Sequence, residues 1–81
     1  MGLVELTEHL VKNIVKDPTT VTVVKNESDE QVIDVFVAEA DVAAVIGHKG
    51  KIANSIRTIV QAAAYVNNQG KVRINIDSSE K

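Results

Sequence analysis

One five-residue segment constrains this chain more than any other: Ile46-Gly47-His48-Lys49-Gly50, set between two stretches of helical periodicity. Two glycines three positions apart allow a tight turn and leave no side chain to hold another molecule away from the backbone. Lys51 then opens a stretch whose apolar residues Ile52, Ile56, Ile59, Val60 and Ala63 recur as the buried stripe of a helix of about four turns. Ahead of the glycines, Glu39-Ala40-Asp41 leads into a short helix over residues 42–46, with Asp41 placed as its N-cap. A loop held this way aims its amides and the start of the second helix at an anion. His48, Lys49 and Lys51 add polar and positive groups at the same tip. The combination suits a sugar-phosphate chain.

The flanking sequence fixes the rest of the order. Leu3, Leu6, Leu10 and Ile14, with Val4, Val11 and Val15 beside them, make a broad helical stripe that Asp17-Pro18 is expected to stop. Residues 20–25 alternate and are rich in β-branched side chains, predicting a strand. A polar turn over residues 26–30 leads to a second strand over 31–37, with Ile33, Val35 and Val37 on one face and Val32, Asp34 and Phe36 on the other. Asn67-Asn68-Gln69-Gly70 ends the long helix, and residues 71–76 form the last strand, with Val72, Ile74 and Ile76 inward. The short turn makes the first two strands antiparallel, and the two-helix crossover makes the third parallel to the second. The order helix, strand, strand, helix, helix, strand predicts a two-layer α+β domain with three helices on one face of a three-stranded mixed sheet. Residues 1–77 form this single domain and 78–81 a flexible tail.

Composition narrows the function. Of 81 residues 44% are hydrophobic and 25% charged, which is globular rather than disordered. No apolar run approaches the roughly 18 residues of a membrane span, and the N-terminus lacks a signal-peptide pattern, so a cytoplasmic location is expected. The net charge of −2 argues against indiscriminate polyanion binding, but its distribution is uneven. Residues 1–41 carry three lysines and nine acids; residues 42–76 carry Lys49, Lys51, Arg57, Lys71 and Arg73 and no acid. A local basic surface on an acidic body follows.

Other chemistries lack their residues. A nucleotide-hydrolase phosphate loop needs four residues between its glycines and Lys-Ser or Lys-Thr after them, whereas here two intervene and Ile52 follows Lys51. With two histidines and no cysteine, neither a metal site nor a cofactor is expected. The serines have no evident base, so no enzymatic activity is expected.

The order of elements and the Ile46–Gly50 loop resemble a KH domain of the type II, prokaryotic arrangement, whose hallmark is an I-G-x-x-G loop followed by a helix with spaced aliphatics. Val15-Lys16-Asp17-Pro18, residues 45–50 with Ala53, Ile56-Arg57-Thr58, Ala62-Ala63-Ala64 and Lys71-Val72-Arg73-Ile74 are similar to the KhpA family of small bacterial single-KH proteins over nearly the whole chain. The resemblance implies binding of single-stranded RNA, about four nucleotides being held with the backbone on the glycine loop and the bases on an aliphatic groove. Carried onto this sequence, Gly47, His48, Lys49, Gly50 and Lys51 would meet the backbone, Ile46, Ile52 and Ile56 would line the groove, and Asn54 and Arg57 would reach the strand or a partner. His48 departs from the usual basic or neutral residue at its position.

A second reading is a protein-interaction module. Thr58, Gln61, Ala62 and Tyr65 on the outer face of the long helix are low in charge and partly small, as interfaces often are. The resemblance implies a homodimer, or a heterodimer with a larger KhpB (Jag/EloR)-like KH protein, and a role as a post-transcriptional regulator or RNA chaperone linked to cell elongation and division.

Overall fold

The computed structural model describes residues 2–80. Met1 and Lys81, at the outer ends of the expected domain and tail, lie outside the described residues. The elements are α1 (Leu3–Lys12), β1 (Thr22–Lys25), β2 (Val32–Val37), α2 (Glu39–Ile46), α3 (Lys51–Val66) and β3 (Arg73–Ser78), with single 3₁₀ turns at Pro18–Thr20 and His48–Gly50. This is the α-β-β-α-α-β order of a type II KH domain.

The sheet order is β1-β2-β3, with β1 antiparallel and β3 parallel to β2. Cross-strand register puts Val23, Val35 and Ile76 in one row and Ile33 beside Ile74 in another, all on the face that joins the core. Against it lie Leu3 and Val11 of α1, Val45 of α2 and Ile56, Val60 and Ala64 of α3. Thr22, Phe36 and Asp77 form a row on the opposite face. Alternation along each strand decides this sidedness, because successive side chains point to opposite faces.

Several boundaries move for identifiable reasons. Helix α1 ends at Lys12, well before Pro18, where the Asn13 side chain donates to the His9 carbonyl at 2.7 Å. Its buried stripe is Leu3, Thr7 and Val11, while Leu6 and Leu10, and Ile14 just beyond it, pack more loosely; the Thr7 hydroxyl is satisfied by donating to the Leu3 carbonyl. Asp41 does not cap α2. The helix begins two residues earlier, at Glu39, and the buried Asp41 carboxylate accepts from the amides of Lys16 and Asp17 at 3.1 and 3.0 Å. Strand β1 starts at Thr22 because Pro18–Thr20 curl into a 3₁₀ turn.

Strand β3 runs from Arg73 to Ser78 rather than over 71–76. Gln61 grips the preceding bend, donating to the Gly70 carbonyl and accepting from the Val72 amide, both at 2.9 Å. Gln31 donates to the carbonyls of Gln69 and Lys71 on the other side. Held by both, residues 69–72 cannot join the ladder. At the far end β2 continues to Val37 and offers Ser78 a parallel partner, so Asp77 and Ser78 are strand residues and Ser79 donates to the Val37 carbonyl.

Candidate nucleic-acid interface

The glycine loop is built from strained backbone. Gly47 closes α2, its amide donating to the Ala43 carbonyl, and adopts φ 76°, ψ 174°, a region essentially reserved for glycine. A Cβ there would also lie 2.6 Å from Cγ1 of Ile52. Gly47 is therefore required twice, by conformation and by space. Lys49 is left-handed at φ 56°, a non-glycine residue holding about 1–3 kcal/mol of backbone strain. Gly50 is left-handed at φ 75°, and a Cβ on it would meet nothing within 4 Å. Open space above Gly50 is what a close-approaching backbone needs.

The turn closes through the Gly50 amide donating to the Gly47 carbonyl at 3.1 Å and the Lys51 amide to the His48 carbonyl. Among the described residues, no protein group accepts from the amides of His48 and Lys49, and no side chain caps α3. Turn backbone with free amides at a helix start forms a concavity that favours anions. His48, Lys49 and Lys51 are exposed around it. The ion pair identified among the described residues joins Lys12 to Glu8, leaving Lys49, Lys51 and Arg57 without a carboxylate at ion-pairing distance.

The remaining candidate residues separate by burial. Ile46 and Ile52 are 39% and 38% exposed and flank the loop as an apolar lip. Ile56, expected to line the groove, is only 3% exposed and belongs to the core, because the α3 stripe that meets the sheet is Ala53, Ile56, Val60 and Ala64. Asn54 and Arg57 are brought together: Nη1 of Arg57 donates to Oδ1 of Asn54 at 3.1 Å, while Nη2 reaches the Ile74 carbonyl on the outer edge of β3 at 3.4 Å.

Arg57, Thr58, Gln61, Ala62 and Tyr65 line one shallow concavity with Val72. In it Gln61 is committed to the Gly70 bend, and the Thr58 hydroxyl donates to the Asn54 carbonyl of its own helix. Tyr65 is free, at 60% exposure.

The sequence profile described as KhpA/KhpB, KH domain, matches residues 4–76. The chain belongs to the KhpA/KhpB KH-domain family. Proteins named RNA-binding protein KhpA are 40% identical over 73 residues in Clostridium perfringens, covering 89% of this chain and 96% of that one. The Bacillus subtilis protein of that name is 35% identical over 75 residues, 91% of each chain. Among solved structures, Era in complex with MgGDPNP and nucleotides 1506–1542 of 16S ribosomal RNA is similar at a TM-score of 0.61 and 12% identity, over 94% of this chain and 29% of that one. That likeness shows the fold.

For a KhpA/KhpB KH domain the exposed aliphatics of α3 are the residues that sequence reasoning misplaced. Ile59, read as core, is 46% exposed, and Val66, not singled out, is 82% exposed. Ile52, Ile59 and Val66 fall seven residues apart, with Ala62 between the last two. That heptad spacing, distinct from the Ile56–Val60 stripe, was the available signal.

Proposed function

We propose that this chain binds short single-stranded RNA, seating the sugar-phosphate backbone on Gly47–Gly50 and the start of α3. The observation that carries the reading is a loop whose left-handed Lys49 and Gly50 precede an uncapped, lysine-flanked helix start, with open space above Gly50. Free amides and exposed cations stabilise phosphate there. Ile46 and Ile52 supply the apolar lip against which bases lie. The names of its KhpA relatives support the same ligand. The role implied by the family resemblance is that of a post-transcriptional regulator or RNA chaperone linked to cell elongation and division.

Fluorescence anisotropy with short single-stranded RNA over a salt series tests this. Two to four phosphate contacts give log K against log salt a slope of about −1.4 to −2.8. Replacing His48 and Lys49 together by Asp abolishes that binding while the melting transition persists. Equal binding by this variant overturns the placement of RNA on the loop.

A second reading, compatible with the first, is pairing through α3, with another copy or with a KhpB-like KH protein. The exposed row of Ile59, Ala62 and Val66, bordered by Tyr65, favours it, since apolar heptad positions are ordinarily covered by a facing helix. Sedimentation equilibrium decides homodimerisation: Ile59→Asp with Val66→Asp yields a monomer where the parent chain is a dimer. A parent chain that is monomeric at all concentrations removes the homodimer.

A further inference from the structure

The contact between Asn54 and Arg57 bears on which base the chain prefers. Arg57 lies six residues into α3 from Lys51, about 9 Å along the helix axis, and so within a nucleotide or two of the glycine loop. Its guanidinium is braced at two points, by Oδ1 of Asn54 on its own helix and by the Ile74 carbonyl of β3. These bonds take one N–H from each terminal nitrogen of Arg57. Three N–H groups of Arg57 and the amide nitrogen of Asn54 remain as donors. Among the described residues no carboxylate lies at ion-pairing distance from Arg57, and both side chains are exposed.

Resting on the RNA reading above, we propose that Asn54 and the Ile74 carbonyl hold Arg57 as a fixed donor fork that selects guanine through its O6 and N7. Guanine presents two neighbouring acceptors on that edge, the pattern a guanidinium meets bidentately. Adenine presents N7 beside the N6 amino group, so one donor would face another donor. In a single strand this edge is open to contact, unlike in an A-form helix. Arg57 is the specificity-determining residue; Asn54 is a positioning residue that acts through it. A lysine at 57 keeps the charge and loses the fork.

The test measures affinity for uridine hexamers carrying one central guanosine, inosine, 7-deazaguanosine or adenosine. Inosine keeps O6 and N7 and lacks the 2-amino group; 7-deazaguanosine keeps O6 and lacks N7. Guanosine and inosine bind about tenfold tighter than adenosine and 7-deazaguanosine. Arg57→Lys removes this preference while leaving the salt slope unchanged, and Asn54→Ala reduces it with the charge intact. Melting curves accompany both variants, and the wild-type comparison of modified bases stands even where a variant unfolds. Equal affinity for all four oligonucleotides, or a preference that survives in folded Arg57→Lys, overturns the proposal and leaves Arg57 as a brace between α3 and β3. Absence of binding to every oligonucleotide overturns the RNA reading itself, and this inference with it.

Discussion

Two short surface connections are built on opposite principles. The turn between β1 and β2 satisfies itself: Oδ1 of Asn26 accepts from the amides of Ser28 and Asp29, Oδ1 of Asp29 accepts from Gln31, and Nδ2 of Asn26 donates to Asp34. The loop between α2 and α3 instead holds Lys49 in left-handed backbone and, among the described residues, has no side-chain cap and no acceptor for the amides of His48 and Lys49. A turn that needs only to reverse the chain uses its own side chains to do so. The α2–α3 loop keeps its donors free and stores strain at Lys49.

The largest effect expected from this contrast is at Gly47. Gly47→Ala combines a forbidden backbone conformation with a contact against Ile52, costing about 3 kcal/mol in thermal or urea unfolding and removing RNA binding. A variant with parental stability would show that the loop relaxes more freely than its geometry implies. Next is the opposite loop: Asn26→Ala removes the one oxygen that accepts from two amides and loses about 1–2 kcal/mol of stability. Its RNA affinity is unchanged in the anisotropy assay; a changed affinity would break the division of labour between the two connections.

Lys49→Asn sharpens the comparison by reversing sign. Asparagine tolerates left-handed backbone better than lysine, so unfolding shows a gain of about 1 kcal/mol. The salt slope of RNA binding becomes shallower by about 0.7, the share of one phosphate on a single strand. Stabilisation without loss of affinity would mean that the lysine charge lies away from the ligand.

The smallest effect belongs to Asp17. The hydroxyls of Thr19 and then Thr20 donate to its carboxylate and hold its pKa below the usual value of 3.8. A lowered folded-state pKa gives stability that is present above the unfolded value and lost as pH falls through the lowered one. Asp17→Asn therefore flattens the acid limb of the stability curve below about pH 4 and leaves its shape unchanged above about pH 5. A difference confined to neutral pH would exclude this cause.

Much of this fold was legible in the chain. The β-branched run in 31–37, the helical spacing of Ile56 and Val60 and the glycine loop gave element order and sheet pairing, because each depends on residues close in sequence. The misplacements share one cause. Asp41 looked like a cap for its own helix but serves the amides of Lys16 and Asp17, which are 25 and 24 positions away. Gln61 looked like part of a partner-facing helix surface but its side chain holds the Gly70 bend. Ile56 and Ile59 looked alike as α3 aliphatics, yet one is buried and the other exposed.

The sequence by itself determined the α+β order, the position of the glycine loop between α2 and α3 and the basic character of the half that carries it. Local propensity, periodicity and charge are properties of neighbouring residues, so one chain suffices to read them. Only the tertiary structure decided which edge of the α3 stripe meets the sheet, where β3 begins, and that Arg57 is braced by Asn54 and Ile74. A helix stripe is wider than the surface available to bury it, and a polar side chain has more possible partners than it can satisfy. Packing across the sheet makes both choices.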